Sequence, residues 1–241
     1  MRLRIAVTTR ATSIPWDEML RPGRGLIYNL LAETAPDLAT HLHDQGQHAR
    51  QMAPFGHGPP IFPRTRRRPG VYAAGGRGYV EFGSPVPGIV ETWIEALSQH
   101  TILDWGGVAL NVKQLVPLAP PSFTTGRAQL RTATPVVLKT STRNGAKNLT
   151  GSSQVLPYEE GFTVAFEHNL RHKADTLGLD QDIAVERITW IGPKRSLAVK
   201  SGRRTGAPIT VELRGSPPFL RALWCWGLGE ANSAGFGWVS K

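Results

Sequence analysis

Pro218-Phe-Leu-Arg-Ala-Leu-Trp-Cys-Trp226 runs straight into Gly227-Leu-Gly-Glu-Ala-Asn-Ser-Ala-Gly-Phe-Gly-Trp-Val-Ser-Lys241. The first stretch is apolar and compatible with a helix. Gly227, Gly229, Gly235 and Gly237 bracket a short polar run at 230–233, and Phe236-Gly-Trp-Val then alternates like a strand. Glycine permits positive φ and lets a ligand approach bare backbone N–H groups. Helix, glycine loop and closing strand therefore make a cradle for a phosphate chain, with Gly227, Gly229, Asn232, Gly235 and Gly237 as its expected residues. The alternative, a flexible glycine tail, sits badly with Phe236 and Trp238, which are bulky enough to demand burial. A dinucleotide fingerprint is excluded because its order is strand, glycines, helix. A Walker loop is excluded because no Gly-Lys-Ser/Thr follows.

Working outward, the same helix and strand close a β-α-β-β-α-β series. Residues 127–139 read as extended, 159–177 as helical, 183–199 and 209–213 as extended, then the helix from Pro218 and the last strand. The N-terminal half gives the series more clearly. Residues 2–9 alternate as a half-buried strand should, and 25–32 carry apolar residues at helical spacing. Pro36 restarts a short helix that Gly46 ends. Residues 71–82 suggest a hairpin about Gly75-Gly76, 87–98 a helix, and 101–118 an extended segment. A long Pro/Gly/Arg-rich stretch at 47–70 shows no periodicity. The expected class is α+β, two tandem ferredoxin-like, RRM-like domains. They span 1–118 and 127–241, with Ala119-Pro-Pro-Ser-Phe-Thr-Thr-Gly126 as the linker.

At 241 residues the chain is long enough for two such domains. A 40% hydrophobic fraction with seven Trp marks a globular protein. The formal charge of +10 suits a polyanionic partner or an anionic surface. No apolar run reaches membrane-spanning length, and the alternating start reads as a strand, not a signal peptide. The single Cys225 excludes an internal disulfide and a cysteine-based zinc site, and fits a reducing cytoplasm. No metal site is expected. Asp180-Gln-Asp182 lacks the rest of a calcium loop. His168 and His172 are four apart, without a His-Glu-x-x-His pattern. No cofactor motif is present.

The glycine-rich C-terminus resembles that of the RAMP superfamily of CRISPR-associated RNA-binding proteins. Gly25-Leu-Ile-Tyr-Asn-Leu-Leu31 followed by Pro36-Asp-Leu-Ala-Thr-His-Leu-His-Asp44 is similar to the endoribonuclease family that cuts CRISPR repeat RNA into guide RNAs. The likeness is spread over the whole chain and specific at these two places. It implies cleavage within repeat RNA without metal, by 2′-hydroxyl attack, leaving a 5′-hydroxyl and a 2′,3′-cyclic phosphate. It also implies that Tyr28 and His43 stand where the family's catalytic Tyr and His fall. The family often adds a Lys several residues on; here Arg50 is the nearest basic residue, with His48 and His41 in reserve. An effector-complex subunit that binds guide RNA without cutting it would share the glycine loop and the charge, but would not need Tyr28 and His43. The expected partner is repeat RNA, with effector subunits as further partners, and the chain as monomer or homodimer.

Histidine suits such chemistry because its ordinary pKa lies near neutrality, and arginine because its fork grips phosphate oxygens. The residues alone leave another reading open, with Tyr28 as a core tyrosine and His43 as a helix C-terminal residue favoured by the dipole. His57, His100, His168 and His172 read as core or surface. Arg24, Arg64, Arg66, Arg67, Arg68, Arg143, Lys147, Lys194 and Arg195, with Arg203 and Arg204, are the cations placed to follow an RNA backbone.

Overall fold

A computed structural model describes residues 1–44, 46, 52–66, 68–140, 153–199 and 202–240. The N-terminal half contains β1 (Arg2–Thr9), β2 (Ser13–Ile14), α1 (Arg21–Thr34), α2 (Pro36–Asp44), β3 (Gly56–His57), β4 (Tyr72–Ala73), β5 (Gly76–Gly83), α3 (Pro87–Ser98), β6 (Ile102–Asp104) and β7 (Ala109–Leu118). The C-terminal half contains β8 (Arg127–Thr132), β9 (Lys139–Thr140), β10 (Ser153–Gln154), α4 (Phe162–Thr176), β11 (Ile183–Ile191), β12 (Arg195–Val199), β13 (Gly202–Gly206), β14 (Ile209–Gly215), α5 (Pro217–Trp226) and β15 (Val239–Ser240).

The two main sheets repeat one topology. The first runs β3-β5-β1-β7-β6 and the second β11-β14-β8-β15, with every adjacent pair antiparallel. With β6 set aside as the hairpin partner of β7, each is second-third-first-fourth strand of a ferredoxin-like unit. The fold is therefore two tandem α+β ferredoxin-like units. In β1 the alternation does what its period demands. Leu3, Ile5 and Val7 point into the core against Ile27, Leu30, Leu31, Ile89, Val90 and Trp93 from the helices. Proline stands in the first turn of α1, α3 and α5, where its missing N–H would have no helical partner anyway.

Two expectations need correction. No hairpin turns at Gly75-Gly76: β4 pairs with β2, and β5 pairs with β1 and β3. The second strand of the first unit is β3, continued by the bridge of Ile61 to Tyr79, inside the stretch that shows no periodicity. Such a short strand is buried on both sides, so alternation has nothing to record. The hairpin β12–β13 is an insertion between the second and third strands of the second unit.

The halves are locked by Arg2. Its guanidinium donates to the carbonyl oxygens of Trp224 (2.8 Å) and Val239 (2.6 Å), and lies over the rings of Trp238 (3.9 Å) and Trp224 (4.5 Å). Glu81 stands 3.6 Å away. Burial pulls its pKa down to about 10, with Glu81 opposing, so it remains a cation at neutral pH.

Candidate functional site

A single residue, Ala35, separates α1 from α2, so the two helices meet at a tight corner. That corner brings Tyr28 and His43 together. Their ring centroids lie 5.4 Å apart, edge to face, and Phe55 meets the Tyr28 ring at 5.3 Å. The Tyr28 hydroxyl donates to the carbonyl oxygen of Leu42 at 3.3 Å. Burial raises the Tyr28 pKa, with the nearby Arg24 guanidinium opposing, so the hydroxyl stays protonated at neutral pH. Arg24 sits 5.6 Å from the centre of the same ring.

His43 is exposed in the last turn of α2, with Nδ1 3.0 Å from Asp44 Oδ1. A carboxylate can only accept, so this contact puts a proton on Nδ1. In the neutral form of that tautomer the lone pair is on Nε2, the atom a base would use. His41 is exposed on the same helix, two residues from His43, while Ala39 and Leu42 face inward. At that spacing the two histidines diverge. His48 and Arg50 lie outside the described residues, as do Arg67, Arg143 and Lys147.

The basic residues divide. Arg68 and Arg195 line one cleft of about 740 Å³ between the halves, where Trp16, Tyr72, Arg131 and Trp190 join them. Arg64, Arg66 and Lys194 are exposed close by in sequence. Arg131 and the two tryptophans were not expected from sequence. Trp16 sits in a short stretch without periodicity, and Arg131 and Trp190 look like ordinary strand residues until β8, β14 and β11 are aligned. Thr210 then pairs with both Arg131 and Trp190 across the sheet. That adjacency is invisible in one dimension.

The glycine loop differs from the expected open cradle. Gly227, Gly229, Gly235, Gly237 and Asn232 are all buried. Gly235 has φ +86°, and a Cβ there would lie 2.7 Å from His57 Cε1 and 2.8 Å from Leu20 Cδ2. Gly229 has φ +68°, and its Cβ would lie 2.7 Å from Val136 and 2.8 Å from the Val137 carbonyl oxygen. On the side a Cβ would take, the neighbours of Gly229 and Gly235 are protein. Several of the loop's N–H groups are engaged by protein as well. Leu228 donates to Gly237, Glu230 to Val137, Gly235 to Asn232, Phe236 to Ala231 and Gly237 to Pro135. The Asn232 amide donates to the Leu228 and Phe236 carbonyls and accepts from buried Lys173. The loop is a structural closure, cross-braced by Asn232, between the second unit and the first turn of α1.

His57 is the other side of that closure. It is fully buried between Gly23, Gly235, Phe82 and Trp105. Burial drops its pKa to about 4, with the Gly58 carbonyl opposing at 3.1 Å. Lys173, also fully buried, lies 3.8 Å over the Trp226 ring, and burial pulls its pKa well down against the opposing charge of Glu230. Among the described residues no three His, Cys, Asp or Glu side chains gather as a metal site. The rings of His168 and His172 lie 3.9 Å apart, centroid to centroid, tilted by 58°. Among the described residues no helix is long and apolar enough to cross a membrane.

The fold recurs in solved structures. A protein characterised from a Cas6-related gene of Pyrococcus furiosus superposes with TM-score 0.79 at 16% identity, covering 100% of this chain and 97% of that one. A RAMP protein described as binding different RNA substrates gives 0.80 at 17%, covering 100% and 98%. A CRISPR associated protein Cas6 gives 0.76 at 22%, covering 100% and 98%. At such identities the likeness is one of fold. No curated protein matches the sequence. Residues 118–241 match the family model for CRISPR associated protein Cas6, C-terminal, which takes in the whole second unit from the end of β7 and more than half the chain. On that match the chain belongs to the Cas6 family of CRISPR-associated proteins.

Proposed function

We propose that this chain is an endoribonuclease that cuts CRISPR repeat RNA without a metal ion. The observation that carries the reading is the α1–α2 corner, where a Tyr held protonated faces a His whose Nδ1 is engaged by Asp44. In the proposed reaction His43 Nε2 takes the proton of the 2′-hydroxyl at the cut site. The freed oxygen attacks the adjacent phosphorus, and the bond from phosphorus to the 5′-oxygen breaks. The 5′-oxygen leaves with a proton supplied by the Tyr28 hydroxyl. The products are a 2′,3′-cyclic phosphate and a 5′-hydroxyl. Arg24, beside Tyr28, supplies positive charge for the crowded phosphate.

Purified protein incubated with repeat RNA in excess EDTA should cut it, and a 2′-deoxy substitution at the cut site should block cutting. His43→Ala should lower the rate by about 10²–10⁴, the usual worth of a general acid–base group, while leaving RNA affinity within a few-fold. Cleavage that vanishes with chelator and returns with divalent metal overturns the mechanism. A specific observation supports one rival, a guide-RNA-binding subunit that does not cut. The Tyr28 hydroxyl already has an acceptor in the Leu42 carbonyl, as a structural tyrosine would. Tight RNA binding with no cleavage of any repeat would favour it.

A further inference from the structure

Soluble proteins bury tryptophan where they can, so a Trp left in the open asks for a reason. Two stand open here at one cleft: Trp16 is 44% exposed and Trp190 40% exposed. They come from different halves, Trp16 from the turn before α1 and Trp190 from β11. Each carries an arginine. The Arg195 guanidinium lies 5.8 Å from the Trp16 ring centre, and that of Arg131 4.7 Å from the Trp190 ring centre. Tyr72 braces Trp16, centroid to centroid 5.6 Å. Arg68, tied to the Thr12 carbonyl at 3.0 Å, adds a third cation to the wall. No carboxylate lines the cleft among the described residues.

We infer that this cleft is a base-stacking subsite for unpaired RNA, in which one base lies on Trp16, another on Trp190, and Arg68, Arg131 and Arg195 hold the intervening phosphates. Indole faces and guanidinium groups are complementary to the π-faces of bases and to phosphate oxygens, in that order. A duplex hides its base faces inside the stack, so a site built on aromatic faces selects a strand whose bases are free. The arginines resting on the rings fix the indoles before RNA arrives, which lowers the ordering cost of binding. The inference rests on the RNA-binding reading and deepens it, because it names the form of substrate: an unpaired segment at the cleft, whatever structure lies elsewhere in the repeat.

The test compares wild type with Trp16→Ala, Trp190→Ala and the double variant, binding two labelled probes. One is a short RNA without self-complementarity and the other is a blunt RNA duplex of the same length. Each single variant should bind the unpaired RNA about tenfold or more weakly, as expected for one lost stacked base, and the double variant weaker still. Duplex affinity should stay within about twofold. Trp16→Phe and Trp190→Phe should recover most of the loss, and thermal melts should confirm that all variants are folded, since both side chains are exposed. Unchanged affinity for unpaired RNA in the folded double variant overturns the inference while leaving cleavage at His43 standing. Equal losses for duplex and single strand also overturn it, because the tryptophans would then serve a general cationic surface. Wild-type protein that binds neither probe fails the RNA-binding reading itself.

Discussion

His57 is a residue whose chemistry is set entirely by where it sits. Unfolded, its pKa is near 6.5; folded, burial holds it at about 4. The folded state therefore resists a proton that the unfolded state accepts. Stability from this group is complete above pH 6.5 and is lost as pH falls toward 4, a total of about 3 kcal/mol at about 1.4 kcal/mol per unit. Urea midpoints at pH 7.5, 6 and 5 should fall along that slope, and His57→Gln should flatten it while lowering stability throughout. An unchanged slope in the variant would place the titration elsewhere. In sequence His57 is one of seven histidines, with nothing to separate it from the exposed ones. The helices that carry Tyr28 and His43 are legible from apolar spacing, and the resemblance to a known family is what singles the two residues out as candidates. Trp16 and Trp190 were not, because a residue's exposure is decided by elements far away in the chain.

At the scale of elements, the long ones announce themselves and the short ones do not. Residues 2–9 and 87–98 carry enough periods of apolar spacing to define β1 and α3 at both ends. Two-residue β3 carries none, and its pairing partners supply its identity. The glycine loop shows a subtler limit. Its glycines are readable, but sequence does not say whether a missing Cβ makes room for phosphate or for protein. At Gly235 that room is taken by His57 and Leu20, and the consequence is measurable. Gly70 and Gly235 both have positive φ, +73° and +86°, but nothing lies within 4 Å of a Cβ at Gly70. Gly70→Ala should then lose only the left-handed backbone term, roughly 1 kcal/mol. Gly235→Ala adds overlap with His57 and Leu20, for roughly 2–5 kcal/mol. Equal losses in urea unfolding would mean that the loop is free to move away.

The whole molecule depends on how its two sheets are joined, and the decisive group is a charge. Arg2 begins the first strand of the first unit, yet its hydrogen bonds end in α5 and β15 of the second. Alternation marks residues 2–9 as a strand but cannot reveal that its leading cation turns into a tryptophan sandwich more than two hundred residues away. Removing it leaves two carbonyl oxygens without their donor, opens a gap between Trp224 and Trp238, and leaves the largely buried Glu81 to Arg4 alone. Breaking a buried charge arrangement costs about 3–5 kcal/mol, and the damage falls at the junction of the halves. Arg2→Ala should therefore lower stability by that amount and loosen the coupling, so that calorimetry shows two transitions where the wild type shows one. Arg2→Lys should recover less than half of the loss, because an ammonium keeps the charge but not the flat fork that reaches two carbonyls from between two rings. A single, sharp transition in a folded Arg2→Ala protein, with stability near that of wild type, would show that the halves are held by apolar packing and that the arginine is incidental.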